Sequence, residues 1–190
     1  MRSLYLAVVV QFSLIASAIE YEHGTSYLEP LKYERGFQHF DYVNPEAPKA
    51  GRLRAAGMGT YDSFNGILDR GRVVGGVWRL GEAVLVYDRL LEQAVDEPAS
   101  YYGRLAEGVW VSDDFKQFAF KIRAGARWHD GVPLTVDDVI FTFETMREKG
   151  AAGVRTALLE LGSIERLDDD EVLFTVKPDS PANPELVFSI

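Results

Sequence analysis

Apolar and polar residues alternate with a period of two in the second half of the chain. The segments "LAEGVWV" and "FAFKIRA" flank "SDDFKQ" and place Phe118 and Phe120 on one face, which is typical of a β-hairpin with a longer loop. The segments "SIERL" and "EVLFTVK" flank "DDD" and place Val172, Phe174 and Val176 on one face. The pattern therefore predicts two separate hairpins.

A helical period predicts two helices. The first is expected over about 79–91, where apolar residues recur at intervals of four, three and four. The second is expected over 135–149, between the two hairpins. Strands and helices are thus mixed without strict alternation. We expect a chain of the α/β class.

The N-terminal half lacks a clear period. Residues 23–51 are rich in aromatic and turn residues, and Pro45 and Pro48 exclude a long helix there. We expect an extended segment that wraps around the rest of the fold. A short strand is expected near Arg52–Ala56, before a run of glycines.

The stretch "RWHDGVPLTVDDVIFTFE" at 127–144 raises the question of a catalytic site. Thr135 is a favourable N-cap, and Asp138 three residues later completes a variant of the capping box. Gly131 suits a tight turn that needs a positive φ. His129 and Asp130 are adjacent, and neighbouring side chains rarely form a proton relay. Helix initiation therefore explains these residues better than catalysis does, and we assign no catalytic residue.

Metal ligands are also not apparent in the sequence. The acidic run Asp168–Glu171 lacks the alternating ligands and the glycine of a calcium loop, and a solvated hairpin turn explains it better. The three histidines, His23, His39 and His129, lack the spacing of a zinc motif, and the chain contains no cysteine. We therefore expect no metal site and no cofactor.

The charge argues against one class of partner, and the N-terminus indicates an exported protein. The formal charge is −9 and no basic stripe is present, which argues against a nucleic-acid partner. Arg2 precedes an apolar run from Leu4 to Ile15, and Ala16–Ala18 has the small residues of a cleavage site. The run is shorter than the about 20 residues that span a membrane. We expect residues 1–18 to be a signal peptide cleaved after Ala18, and the mature protein to be periplasmic without stable membrane insertion.

The motif "LAEGVWVSDDFKQFAFKIRAGARWHDGVPLTVDDVIFTFE", Leu105–Glu144, resembles the extracellular solute-binding proteins of family 5, the peptide/nickel class. The stretch "HGTSYLEPLKYERGFQHFDYVNPEAPKAGRLR" is similar to the Yej-type branch, which serves importers of peptides and peptide antibiotics such as microcin C. The resemblance implies a bilobal clamshell of the type II periplasmic-binding-protein class, of which this chain is the N-terminal part and incomplete.

The resemblance also implies how the chain is divided and what it binds. Residues 19–82 would be the N-terminal wrapping segment and the start of lobe I, 83–178 an inserted α/β subdomain of that lobe, and 179–190 a truncated return into it. The ligand would be an oligopeptide and the partner an inner-membrane ABC permease. The protein would be a monomer and not an enzyme. We expect the 190-residue chain alone to show no measurable peptide affinity.

The ligand contacts that the resemblance implies lie in "FNGILDRGRVVGGVW", at Asn65, Arg72, Val74, Gly75 and Gly76. Glycines let another backbone approach closely, and an arginine can bind a carboxylate. The family's pattern leads us to expect a proline-bearing loop here, and this sequence has glycines and arginines instead. Two other functions remain open: a secreted hydrolase acting on peptides, and a structural domain of an envelope protein.

Overall fold

The computed structural model describes residues 19–52, 54, 58–73, 79–80, 83–84 and 87–181. Nine strands and two helices lie within these residues. They are β1 Gly24–Ser26, β2 Arg79–Leu80, β3 Ala83–Val84, β4 Leu91–Gln93, β5 Ser100–Gly103, β6 Ala106–Val111, β7 Gln117–Ile122, α1 Val136–Lys149, α2 Ala152–Ala157, β8 Leu161–Arg166 and β9 Glu171–Val176.

Both predicted hairpins are confirmed, and together they form one antiparallel sheet. Its strand order is β6-β7-β9-β8, so the two hairpins meet through β7 and β9. Phe118 lies opposite Phe174, and Phe120 lies opposite Val172. Because cross-strand partners point to the same face, this register brings the apolar faces of both hairpins together.

The main core lies between this sheet and helix α1. Phe118, Phe120 and Phe174 are fully buried. The ring of Phe174 stacks on Phe118 at 5.5 Å between centroids, and its edge meets Phe143 of α1 at 5.0 Å. Aromatic pairs of this geometry add about 0.5–1.5 kcal/mol each beyond their burial. The helix is therefore held against the sheet by an aromatic contact at its centre.

Helix α1 begins as predicted. The Thr135 side chain accepts a hydrogen bond from the Asp138 N–H (3.3 Å), and the Asp138 carboxylate accepts one from the Thr135 N–H (2.8 Å). These two bonds form the capping box. Asp137 joins Asp138 in the first turn, and Arg147 and Lys149 lie in the last turn, which complements the helix dipole.

A three-stranded sheet, β1-β5-β4, carries the N-terminal segment. As expected, residues 23–51 contain no helix, and their aromatic side chains pack against β5. Tyr33, Phe37 and Phe40 surround Tyr102 of β5 with centroids 5.1–5.6 Å apart. The Tyr102 hydroxyl donates to Glu97 (2.7 Å) and accepts the Tyr33 N–H (3.1 Å). Burial raises the pKa of Tyr102 to about 12.

Two glycines permit close approach of the N-terminal segment. A Cβ on Gly24 would lie 2.7 Å from the carbonyl oxygen of Tyr101, so β1 can approach β5 only without a side chain there. A Cβ on Gly108 of β6 would lie 2.8 Å from the Cβ of Tyr21. Next to that contact, Glu22 exchanges two backbone hydrogen bonds with β6, of 2.9 and 2.8 Å. The N-terminal segment therefore covers the outer edge of β6.

The helix predicted over 79–91 is wrong. Residues 79–80 and 83–84 form an antiparallel pair of strands, and 87–90 are not helical. Gly81, near the start of the segment, disfavours a helix by about 1 kcal/mol relative to alanine, and β-branched residues such as Val84 favour strands. The strand expected near Arg52–Ala56 is not seen at Arg52 or Arg54, and its other positions lie outside the described residues.

Candidate functional site

The loop 58–73 carries two of the five predicted ligand contacts. Its two ends are held together because the N–H groups of Asp62 and Ser63 both donate to the carbonyl oxygen of Arg72, at 3.0 and 3.1 Å. Gly71 lies at φ +74°, and a Cβ there would lie 2.5 Å from an Asp62 carboxylate oxygen. Glycine is therefore required at the turn that positions Arg72.

The Asn65 side chain stabilises a turn within this loop. Its side-chain oxygen accepts the N–H groups of Ile67 (2.9 Å) and Leu68 (3.0 Å), and its own N–H donates to Ser63 Oγ (3.0 Å). The Asn65 Nδ2 group has no partner among the described residues. The side-chain oxygen thus holds the turn, and the amide nitrogen can donate to a ligand carbonyl.

The Arg72 side chain is exposed, and most of its donors have no partner among the described residues. Its Nη1 donates to Thr60 Oγ1 at 2.7 Å, which fixes the guanidinium beside the loop. Within the described part of the chain it forms no ion pair. An arginine that is oriented by a hydroxyl and not neutralised by a carboxylate can accept an anionic group. Val74, Gly75 and Gly76 lie outside the described residues.

The loop is attached to the end of helix α1. Leu68 forms an antiparallel bridge with Gly150, and the Ala151 N–H donates to the Ile67 carbonyl at 2.8 Å. The Asp69 N–H lies 3.4 Å from the carbonyl oxygen of Lys149. The backbone that precedes Arg72 is therefore positioned by the helix.

Sequence reasoning missed an aromatic pair on this loop. The rings of Tyr61 and Phe64 meet edge to face at 5.4 Å, and each side chain is more than half exposed. Met58 nearby is fully exposed. The only signal available was the occurrence of large apolar residues in an otherwise polar loop. Their exposure gives the loop an apolar surface next to the cation of Arg72.

The "WHDG" turn is structural, as the sequence predicts. The Gly131 N–H donates to Trp128 O (2.9 Å), the Trp128 N–H donates to Val132 O (2.8 Å), and Gly131 lies at φ +88°. The Asp130 carboxylate accepts the Val132 N–H at 3.0 Å. Asp130 is therefore engaged with the backbone of its own turn and does not orient His129.

Asp138 has a shifted pKa because of its place in the capping box. Burial raises its pKa, but the hydrogen bonds from the Thr135 N–H and hydroxyl and from Trp128 outweigh burial. The pKa of Asp138 therefore lies below its ordinary value, and the ionised form is the one that caps the helix.

The described ranges contain neither a metal-binding cluster nor a membrane-spanning helix. No group of three or more His, Asp or Glu side chains there could hold a metal ion. The acidic run at 168–171 closes the β8–β9 hairpin through backbone hydrogen bonds between Asp168 and Glu171. In the same part of the chain, no helix has both the length and the apolar character needed to cross a membrane.

Comparison with known proteins gives a family and several relatives. Residues 100–190 match the model described as "Bacterial extracellular solute-binding proteins, family 5 Middle". The "Probable peptide-binding protein YejA" of Agrobacterium fabrum is 42% identical over 125 residues, which are 66% of this chain and 19% of that protein. The "Peptidoglycan-binding protein YepA" of the same organism is 39% identical over 155 residues, 80% of this chain and 25% of that protein.

Among solved structures, the oligopeptide-binding protein AppA from Bacillus subtilis, in complex with a nonapeptide, aligns with a TM-score of 0.41 and 33% identity. The alignment covers 48% of this chain and 18% of that one. The chain spans between about a fifth and a quarter of the length of the curated relatives. The family match over residues 100–190 and these relatives confirm the resemblance of the chain to the bacterial extracellular solute-binding proteins of family 5.

Proposed function

We propose that this chain is part of the periplasmic solute-binding component of an ABC importer for oligopeptides. The complete protein would hold a peptide between two lobes and deliver it to an inner-membrane permease. The observation that carries the proposal is the family match over residues 100–190. The relative YejA, named as a probable peptide-binding protein, supports peptide as the ligand class.

The mature protein is proposed to be a periplasmic monomer that starts at Ile19. The short apolar run and the small residues at 16–18 support cleavage after Ala18. N-terminal sequencing of the periplasmic protein should give Ile19 as the first residue. Recovery of a protein that begins at Met1 from the cytosol would contradict this part of the proposal.

The proposed ligand contacts are Asn65, Arg72 and the stretch Val74–Gly76. The Asn65 amide nitrogen, which has no partner among the described residues, supports a contact to a peptide carbonyl, and the oriented Arg72 guanidinium supports a contact to a carboxylate. Glycines at 75 and 76 suit the approach of a peptide backbone, which gives affinity independent of the peptide's side chains. Residues 19–82 and 83–178 would belong to the same lobe.

The test uses the product of the complete gene, exported to the periplasm and incubated with labelled oligopeptides and with peptidoglycan-derived peptides. We expect saturable binding and unchanged peptide mass. Cleavage products would favour a secreted hydrolase, and absence of any binding would favour a structural envelope domain. The peptidoglycan arm is included because one relative carries peptidoglycan binding in its name.

A matched pair of variants tests the loop. Arg72→Gln removes the oriented guanidinium, and Arg70→Gln removes an exposed arginine two positions away. A hydrogen bond to a charged group contributes about 1.5–3 kcal/mol, so Arg72→Gln should weaken peptide binding by about tenfold or more. Arg70→Gln should leave it unchanged. Equal effects of the two variants would mean that only the general charge of the loop matters.

A further inference from the structure

An open groove of about 640 Å³ lies between the N-terminal segment and the four-stranded sheet. One wall comes from residues within 35–49, and the other comes from Gly103, Glu107 and Arg123. None of the described residues that line it belongs to the loop 58–73. The groove is therefore distinct from the described part of the candidate peptide site.

The groove is positive on a strongly acidic protein. Among its described lining residues, Arg35, Lys49 and Arg123 are cationic and Glu107 is anionic; because Glu22 pairs with Arg35, a formal excess of one positive charge remains. The whole chain has a formal charge of −9. A concave surface of one sign concentrates ligands of the opposite sign, so this groove favours anions.

Two of these cations are fixed in place by the protein. Arg35 Nη2 donates to the carbonyl oxygen of Tyr21 (2.8 Å) and to the Glu22 carboxylate (3.1 Å). Arg123 Nε donates to the carbonyl oxygen of Arg104 at 3.0 Å. Arg35 is thereby neutralised, whereas Arg123 is bound through neutral carbonyl groups and keeps its charge for a ligand.

Lys49 is the second cation in the groove that can bind an anion. It is exposed and has no hydrogen-bond or ion-pair partner among the described residues. The Nη1 group of Arg123 also has no partner within those residues. The groove therefore offers two unneutralised cations, one flexible and one oriented.

The same groove has an apolar wall. Phe37, Phe40, Val43 and Pro45 line it, and Val43 is exposed. The rings of Phe37 and Phe40 are 5.1 Å apart and are held by the aromatic cluster around Tyr102. A rigid apolar surface beside two cations suits a ligand that has a carboxylate attached to an apolar group.

We propose that this groove binds small organic carboxylates. The carboxylate lies between Lys49 and Arg123, and its apolar part lies against Phe37 and Phe40. An inorganic anion would be stabilised by the two cations only and not by the apolar wall. The inference does not depend on the proposed peptide site, since none of the described lining residues belongs to that site.

The probe is phenylacetate, titrated into the ¹⁵N-labelled chain and followed by amide chemical shifts. We expect saturable shifts at residues 36–40 and near Lys49, with a dissociation constant on the order of 1 mM for so small a ligand. Phenylacetamide, which has the same ring and no charge, should produce no saturable shift at the same amides. Inorganic phosphate should bind several times more weakly.

Matched variants test the role of charge. Lys49→Gln should weaken phenylacetate binding by about threefold, the size expected for an exposed ion pair. Lys149→Gln, at the far end of α1, should leave it unchanged. The proposal is overturned if phenylacetamide or phosphate binds as tightly as phenylacetate, or if the two lysine variants behave alike. A failure of peptide binding in the complete protein would leave these results unaffected.

Discussion

Replacing Thr135 by alanine tests whether the acidic stretch before α1 acts by starting the helix. The change removes the hydroxyl that accepts the Asp138 N–H and that also donates to the Asp138 carboxylate (2.8 Å). The Thr135 N–H still donates to that carboxylate, so one half of the capping box survives.

The magnitude follows from this partial loss. An N-cap Thr to Ala change costs about 0.5–2 kcal/mol, and with half the box retained we expect a loss near 1 kcal/mol. For a chain of this size, that loss lowers the thermal midpoint by about 2–4 °C. With a urea m-value of about 1–3 kcal/mol/M, it lowers the urea midpoint by about 0.3–1 M.

The assay is urea unfolding followed by far-UV circular dichroism. Thr135→Ser keeps the capping oxygen and should lie within about 0.3 kcal/mol of the parent chain. Thr142→Ala removes a hydroxyl from the same helix that bonds the Asp138 carbonyl and caps nothing, so it controls for the loss of a threonine. Unchanged stability of Thr135→Ala, combined with loss of peptide binding in the complete protein, would refute helix initiation and make Thr135 a functional residue.

Three further predictions concern stability. Phe174→Ala should cost about 3–5 kcal/mol in urea unfolding because the ring is fully buried, whereas Phe141→Ala should cost under about 0.5 kcal/mol because that ring is 70% exposed. Gly108→Ala should lower the urea midpoint because its Cβ would meet Tyr21. Gly125→Ala should leave the urea midpoint unchanged because a Cβ there has open space. Equal urea midpoints of the two variants would contradict the close packing at Gly108. Asp138 has a lowered pKa in the folded chain, so its contribution to the free energy of unfolding is present above the unfolded pKa of about 4 and is lost as pH falls through the folded pKa. Asp138→Asn should therefore be less stable than the parent chain at pH 7. The difference in stability should shrink in acid.

The sequence was most informative where periodicity and local chemistry agree. The alternation in both hairpins and the capping box at Thr135 and Asp138 were predicted because each depends on residues close together in the chain. The short strands β1, β4 and β5 were not predicted. Each has only three or four residues, which is too short for a periodic pattern, and β1 pairs with a strand distant in sequence, as Gly24 lies opposite Tyr102.

The helix prediction over 79–91 is wrong for a local reason. Four apolar residues at helical spacing can also lie on short strands, and Gly81 disfavours a helix. In the candidate site, Asn65 was chosen for a ligand contact, yet its side-chain oxygen closes the turn. The exposed Tyr61–Phe64 pair could not be predicted, because exposure depends on where the loop docks and not on the residues alone.

The bridge between Leu68 and Gly150 has a consequence for amide hydrogen exchange. The Ala151 N–H is protected by the carbonyl oxygen of Ile67, and the Asp69 N–H faces the carbonyl oxygen of Lys149. Protection of Ala151 therefore requires the loop 58–73 to stay docked on the end of the helix. The exchange rate of the Ala151 amide therefore reports how often the loop opens. Ligand contacts that hold the loop in place should slow this exchange.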